Sequence, residues 1–205
     1  FDKTIALSED ESKHCIRVLR MNQGDEFRAI DGMGNLYHCK ITDPHPKRCI
    51  AEIVRVENVY GKRPFHLHIA IAPTKNIDRF EWFLEKATEI GVDEITPLLC
   101  EHSERKNANH ERLERVMVAA IKQSVKAYLP KLNPLTPFEK VVKNANENLK
   151  TIAYCGEFNE PNLTNEIKKG ESLLVLIGPE GDFSPYEVNL ATLNGFKTVG
   201  LGKSR

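Results

Sequence analysis

The fold of this chain is decided by the stretch Leu174-Val175-Leu176-Ile177-Gly178-Pro179-Glu180-Gly181-Asp182-Phe183-Ser184-Pro185-Tyr186-Glu187. Its apolar start predicts a buried strand, and the strand ends in a turn whose two glycines let backbone N–H groups approach a ligand. Ser184, Pro185 and Glu187 then predict a helix that opens with a proline and closes a capping box. Ligands of parallel α/β sheets bind at the carboxyl ends of strands, where this turn lies. An ordinary strand-to-helix turn would carry the same residues.

A second glycine turn, Gly200-Leu201-Gly202, follows the next predicted strand at residues 197–201. Two such turns favour a shared ligand pocket. Gly202-Lys203-Ser204 matches the end of a nucleotide-phosphate loop, but Lys197 stands where that loop needs its first glycine. A dinucleotide fingerprint fails as well, because Arg205 stands at its last glycine position. Neither phosphate-binding motif is complete.

Strand and helix patterns alternate between residue 65 and the glycine turn. Short buried strands are predicted at residues 67–72, 94–99, 151–155 and 173–177. A helix is predicted at 78–90, opened by a box of Asp78 and Glu81, and a long helix follows at 109–128. A further helix is predicted to begin with a capping box at residues 136–139. The alternation predicts an α/β sheet that is covered on both faces.

The first sixty residues have a different pattern. Ser8 and Glu11 form a capping box that predicts a short helix. Three β-like runs follow at residues 26–31, 36–42 and 48–60, and they predict a small β-barrel-like module. Residues 61–64 contain a glycine, a proline and two charges, so they predict a linker to the second domain.

Composition sets the broad class of the protein. The chain has 205 residues, of which 40% are hydrophobic, and its 29 Lys and Arg balance its 29 Asp and Glu. A globular protein is expected, and any nucleic-acid partner must be met by a local basic patch. Five scattered cysteines without a C-x-x-C pair predict no disulfide framework and favour the reducing cytoplasm. No apolar run approaches the roughly 20 residues of a membrane-spanning helix.

Metal and hydrolase chemistry have little support in the sequence. His38, Cys39, His45 and Cys49 lie close together in the chain, but strand alternation sends the first two to opposite faces and their spacing matches no zinc pattern. We therefore expect no metal. His68 lies on the same strand face as His66 and is expected to be a packing or edge residue. No Ser-His-Asp or Cys-His order is present to support covalent hydrolysis.

A modest basic patch is predicted at residues 101–131, which hold seven Lys or Arg against four Glu. Arg17 and Arg20 of the first helix, with Arg28 nearby, could extend it. Such side chains contact RNA phosphates without sequence preference. A solvated helix face would have the same charges.

Several motifs together carry a family resemblance. They are residues 14–20 (HCIRVLR), 86–92 (KATEIGV), 95–97 (ITP), Gln123-Ser124 and 177–184 (IGPEGDFS). In this order, over nearly the whole chain, they resemble the SPOUT-class methyltransferases that methylate N3 of a uridine in small-subunit (16S) ribosomal RNA. The resemblance implies a PUA-like RNA-binding domain at residues 1–62 and a SPOUT methyltransferase domain with a trefoil-knotted parallel sheet at 66–205. It also implies S-adenosylmethionine as cofactor, a cytoplasmic homodimer and ribosomal RNA of the small subunit as partner.

The sequence patterns and the resemblance together give the candidate site residues. Cofactor binding is expected at Ile177, Gly178, Pro179, Glu180, Gly181, Leu201 and Gly202. Glu180, the acid in the glycine turn, is the candidate general base, although an acid at a helix N-terminus has the same place. Arg105 is expected to hold RNA or to stabilise the deprotonated uracil. RNA contacts are expected from Arg17, Arg20, Arg105, Lys106 and Lys126.

Two departures from the family pattern affect these expectations. Members commonly have Ser-Gly-Arg after the glutamine, whereas Gln123-Ser124 is followed by Val125 and Lys126, which cannot make the bidentate phosphate contact of arginine. Members also continue into a helix after the last glycine turn. We therefore expect the chain to be trimmed, with part of the cofactor pocket and dimer interface outside these residues. The alternative function is a non-catalytic RNA-binding factor for ribosome assembly.

The predicted homodimer also has a reason in the helix patterns. The apolar sides of the helices predicted at 109–128 and 184–193 are more extensive than one small sheet can cover, and a second copy would bury them.

Overall fold

The computed structural model describes residues 3–154 and 161–201 of the chain. These residues form two compact units. The first consists of Phe1–Lys62 with Val125–Tyr128, and the second of Arg63–Ser124 with Leu129–Arg205.

The first unit contains a four-stranded antiparallel sheet with the strand order β1-β4-β3-β2. Its strands are β1 (Thr4–Ala6), β2 (Glu26–Ile30), β3 (Leu36–Asp43) and β4 (Ile50–Glu57). The three predicted runs are thus strands, while β1 was not predicted because three residues are too few to show an alternation. Helix α1 (Glu9–Lys13) begins at Ser8, whose hydroxyl accepts the N–H of Glu11, and continues as a π-helical turn at His14–Val18.

The segment Val125–Tyr128 differs from its prediction as helix. The long helix ends at Ser124 because Val125 has a φ of 53°, a left-handed conformation that stops α-helices. The following residues join the first unit: Ala127 accepts the N–H of Gly34 at 2.8 Å. A β-carbon at Gly34 would lie 2.5 Å from the Tyr128 ring, so only glycine allows this approach.

The second unit is built on a parallel sheet with the strand order β11-β9-β10-β5-β6-β7, and β8 extends it beside β6. Its strands are β5 (Leu67–Ile71), β6 (Glu94–Leu99), β7 (Lys131–Leu132), β8 (Thr136–Pro137), β9 (Leu149–Ala153), β10 (Leu173–Ile177) and β11 (Lys197–Val199). The predicted parallel α/β sheet is confirmed. The trefoil knot that the resemblance implies stays a prediction.

The helices of this unit are α2 (Ile77–Ile90), α3 (His110–Ser124), α4 (Phe138–Asn144), α5 (Leu163–Glu166) and α6 (Pro185–Leu193). Two predicted capping boxes are wrong. Helix α2 is capped by Asn76, whose side chain accepts the N–H of Asp78, and α4 begins after Pro137 without a side-chain cap. The box of α6 is confirmed, with Ser184 and Glu187 bonded to each other's backbone.

Two apolar clusters cover the sheet. Ala70, Leu98 and Leu176 belong to a core with α4 and α6, whereas Ile95 and its half-buried neighbour Ile69 belong to a core with α2 and α3. Because side chains alternate along a strand, these clusters lie on opposite faces of the sheet. The carboxyl edge of the sheet is left to the loops. Among the described helices, none has the length and apolar character needed to cross a membrane.

Candidate active site

Three loops meet at the carboxyl ends of neighbouring strands in the second unit. They follow β5 (residues 72–76), β6 (residues 100–106) and β10 (residues 178–184), and these strands are adjacent in the order β10-β5-β6. A parallel sheet places all three loops at one edge, which is the usual position of a ligand site.

The turn after β10 is closed by its own residues. Asp182 donates its N–H to the carbonyl of Pro179 at 2.9 Å, and its carboxylate accepts the N–H of Phe183 at 2.8 Å. The left-handed residue of the turn is Asp182, with a φ of 60°, and neither glycine has a positive φ. The glycines are needed for space instead, since a β-carbon at Gly178 would lie 3.2 Å from the buried Phe183 ring.

The turn leaves backbone donors available. No hydrogen bond among the described residues uses the N–H groups of Glu180 or Gly181. Free N–H groups in a turn whose two glycines lack β-carbons form a cradle for an acceptor group such as a carboxylate. The confirmed helix α6 begins immediately after this cradle.

Glu187 joins the turn to the loop after β6. It is 4% exposed, and its two carboxylate oxygens accept the N–H groups of Glu101 and Ser184, each at 2.9 Å. One buried carboxylate therefore fixes both the start of α6 and the neighbouring loop. The sequence predicted that Glu187 caps α6. It did not predict the bond to Glu101, which is 86 residues away in the chain.

The two candidate catalytic residues both contact the loop after β5. The carboxylate of Glu180 accepts the N–H of Lys75 at 2.9 Å. Arg105 donates from Nε to the carbonyl of Thr74 at 3.1 Å and from Nη2 to that of Lys75 at 2.6 Å. The structure thus brings these residues together, and it uses them to hold the 72–76 loop from two sides.

Lys75 adds a charge pair to this network. Its ammonium lies 2.8 Å from the Glu104 carboxylate, and the hydrogen bond and charge of Glu104 raise the pKa of Lys75. Both side chains are largely exposed. The pair therefore contributes little to stability.

His102 is a site residue that sequence reasoning missed. Its Nδ1 lies 3.1 Å from the carbonyl oxygen of Gly181 and 3.1 Å from that of Asp182. A β-carbon on Gly181 would lie 3.2 Å from the His102 Cβ. Its place in the loop after a central strand, three residues before Arg105, was the signal that could have identified it.

The remaining candidate residues have more varied positions. Ile177 is the last residue of β10, Pro179 is buried in the turn, and Leu201 is 59% exposed beyond β11. Gly202 lies outside the described residues. Arg17, Arg20 and Lys126 belong to the first unit, and Lys106 is exposed in the loop after β6 of the second.

The cysteines and histidines form no evident metal centre. Across residues 3–154 and 161–201, no group of three or more His, Cys, Asp or Glu is arranged to hold a metal ion. Cys15, Cys39, Cys49 and Cys100 are buried free thiols. Burial raises the pKa of the Cys100 thiol far above its usual range, which keeps it protonated.

Comparison with known proteins identifies both units. The model of an RNA methyltransferase domain matches residues 61–205, and that of an RNA methyltransferase PUA domain matches residues 7–54. A relative from Synechocystis, named ribosomal RNA small subunit methyltransferase E, is 30% identical over 98% of this chain and 68% of its own length.

Two solved structures are similar over nearly the whole chain. One from Porphyromonas gingivalis, described as a probable rRNA-methyltransferase, is 40% identical with a TM-score of 0.91, covering 100% of this chain and 87% of that one. A Legionella pneumophila methyltransferase in complex with the cofactor SAM is 26% identical with a TM-score of 0.86, covering 98% and 85%. With a methyltransferase-domain match over more than half of its length, this chain belongs to the RNA methyltransferase family.

Proposed function

We propose that this protein transfers the methyl group of S-adenosylmethionine to N3 of a uridine in 16S ribosomal RNA. The observation that carries this proposal is the cradle at residues 178–181, where the N–H groups of Glu180 and Gly181 are free at the carboxyl edge of the sheet. The match to relatives named ribosomal RNA small subunit methyltransferase E supports the substrate.

The cradle fits the cofactor chemically. S-adenosylmethionine has a carboxylate and ring nitrogens that accept hydrogen bonds, and Ile177, Pro179 and Leu201 would supply apolar contact beside the free N–H groups. When bound, the cofactor supplies an electrophilic methyl group on a sulfonium. Gly202 is proposed for the same pocket on the resemblance alone.

The protein must present the uridine correctly. N3 lies on the pairing edge of the base, so the uridine has to be unpaired or flipped. Alignment of N3 with the methyl group converts a bimolecular reaction into a positioned one. The hydrogen bonds of Arg105 and Glu180 to the 72–76 loop contribute the rigidity this alignment needs. Arg105 could also stabilise the uracil anion through its remaining N–H groups.

RNA binding is proposed for five basic side chains: Arg17, Arg20, Arg105, Lys106 and Lys126. Arg17 and Arg20 are exposed in the first unit, in and just after the π-helical turn. The match of residues 7–54 to a PUA domain of RNA methyltransferases supports this assignment. Such contacts would position the RNA backbone, while the pocket selects the base.

The test measures binding and chemistry separately. Calorimetric titration with S-adenosylmethionine should show one site per chain. Small subunits with unmodified 16S RNA should then gain a methyl group at N3 of one uridine, detected by nucleoside mass spectrometry. RNA binding without cofactor binding or methyl transfer would favour the alternative, a non-catalytic ribosome-assembly factor.

We also propose a cytoplasmic homodimer. The apolar side of α3 does not support it as predicted, because Leu113 and Met117 are buried against α2 within the unit. Support comes from Leu193 at the end of α6, which is 76% exposed, and from Trp82 and Ile90 of α2, which are 63% and 73% exposed. Sedimentation equilibrium at micromolar concentration should give twice the chain mass. A monomer with full methyltransferase activity would contradict the dimer.

A further inference from the structure

His102 lies directly on the proposed cofactor turn. Its side chain packs at the glycine of that turn, where a β-carbon on Gly181 would approach the His102 Cβ to 3.2 Å. The residue is exposed at the carboxyl edge of the sheet. The imidazole ring is therefore accessible beside the cradle.

The hydrogen bonds of His102 fix the position of its proton. Nδ1 contacts two atoms, the carbonyl oxygens of Gly181 and Asp182 at 3.1 Å each, and a carbonyl oxygen can only accept. Nδ1 must therefore carry a hydrogen. In a neutral imidazole the other nitrogen then has a lone pair, and no described residue donates to Nε2 of His102. The ring presents a free base at the site.

We infer that His102 is the general base that removes the N3 proton of the target uridine. The inference rests on the proposed function. The N3–H bond breaks as its proton moves to Nε2, and the nitrogen lone pair forms the new bond to the methyl carbon. The carbon–sulfur bond breaks with its electrons going to sulfur, which leaves a neutral thioether and a protonated imidazole that returns its proton to water.

The other candidates are less suited to this step. One oxygen of Glu180 already accepts the N–H of Lys75, and Arg105, whose guanidinium is only a donor, is bonded to two carbonyls. A base works best when its pKa is near the working pH, a condition that imidazole as a side-chain type meets better than a carboxylate. Glu180 and Arg105 are then positioning residues of the 72–76 loop.

The first experiment compares His102→Asn with His102→Ala. Asparagine keeps an N–H donor for the two carbonyls but has no basic nitrogen, and alanine leaves space for an added imidazole. With wild-type protein active on small subunits, both variants should bind S-adenosylmethionine within about twofold of wild type. Their single-turnover methyl transfer should fall by about 10²-fold or more, since general base catalysis contributes about 10²–10⁴-fold.

Imidazole should restore part of the rate of His102→Ala and leave wild type unchanged. His110→Ala, which removes an exposed histidine at the start of α3, is the matched control and should retain the wild-type rate. Wild-type transfer by His102→Asn would overturn the inference. A slow His102→Ala variant that imidazole fails to rescue would also overturn it, because a purely structural role predicts that result.

The second experiment determines the tautomer without the reaction. Imidazole ¹⁵N chemical shifts of the protein, assigned by the loss of signals in His102→Asn, should show Nδ1 protonated and Nε2 free in the neutral ring. A proton on Nε2 would contradict the inference even if the enzyme is active. An Nδ1 proton in a wild-type protein that transfers no methyl group would instead place the failure in the proposed function.

Discussion

Glycine is required at position 178 of the cofactor turn because a side chain has no room there, not because of the backbone conformation. Its missing β-carbon leaves room for Phe183, which is 3% exposed and packs against Phe138 in a tilted arrangement with ring centroids 5.4 Å apart. The ring has little freedom to move away, because protein interiors are closely packed. At Gly181 the corresponding neighbour is the Cβ of His102, an exposed residue, so the contact is relieved by a small shift of the loop after β6 and not of the packed interior.

We expect Gly178→Ala to cost about 1–3 kcal/mol of the free energy of unfolding through overpacking, and Gly181→Ala to cost less than about 1 kcal/mol. Both Gly178→Val and Gly181→Val should weaken S-adenosylmethionine binding by tenfold or more, because a branched side chain against Phe183 or His102 shifts the turn that forms the cradle. Urea denaturation and calorimetric titration measure the two effects. Unchanged cofactor affinity in both valine variants would remove this turn from the pocket.

At the scale of elements, Glu187 joins helix α6 to the loop after β6. Replacement by alanine would leave the N–H groups of Glu101 and Ser184 without acceptors. A buried unsatisfied donor costs about 1–3 kcal/mol, so Glu187→Ala should lower the free energy of unfolding by about 2–4 kcal/mol in urea denaturation. Asn189→Ala, on the exposed side of the same helix, should change it by less than about 0.5 kcal/mol. Equal stability of the two variants would refute the joining role.

The elements also show how far sequence patterns extend. Strands β5, β6 and β10 could be predicted from their apolar runs, because their formation depends on burial. The start of α6 could be predicted from its capping box, because the bonds of the box are local. The short strands β7 and β8 carry no periodicity. Helix α3 ends before the left-handed Val125, and Ala127 then bonds to Gly34, a residue far away in the chain.

The candidate site could also be predicted only in part from the sequence. The glycine turn was predictable because its glycines, cap and preceding strand are contiguous. The bonds of Arg105, Glu180 and His102 to other loops depend on the order β10-β5-β6, which the sequence alone does not give. Glu180 was therefore interpreted from its place in the glycine turn, and its bond to the 72–76 loop was not predicted.

For the whole molecule, a buried polar cluster at the opposite edge of the sheet should govern stability in acid. Glu147 accepts from His68 Nδ1 at 2.7 Å, and His68 Nε2 lies 2.7 Å from the Thr96 hydroxyl. Burial acts to raise the pKa of Glu147, but hydrogen bonds from His68 and the backbone outweigh it and lower that pKa. The ionised carboxylate then stabilises the fold above its unfolded pKa, and this stabilisation is lost as the pH falls through the lowered folded value.

We therefore expect Glu147→Gln to lose stability relative to wild type at neutral pH, with the difference shrinking below about pH 4.5. Urea denaturation at a series of pH values from 7 to about 3 measures it. Glu114→Gln, which removes an exposed carboxylate of α3, should follow the wild-type curve. A constant gap between Glu147→Gln and wild type across this range would show that the carboxylate's charge is not what stabilises the cluster.

RNA binding at the scale of the whole molecule should depend on local charge, since the chain has no net charge. Arg17 and Arg20 are exposed, and Arg20 has a φ of 56° just after the π-helical turn. If both contact phosphates, Arg17→Ala with Arg20→Ala should weaken RNA binding and reduce the slope of log affinity against log salt by about 1.4–1.8, from 0.7–0.9 for each lost contact. Cofactor affinity should not change.

Filter binding across a salt series measures the slope, with Lys3→Ala and Lys47→Ala as a charge-matched control in the same unit. An unaltered slope would mean that these arginines belong to a solvated surface, and the RNA contacts would then have to come from Arg105, Lys106 and Lys126.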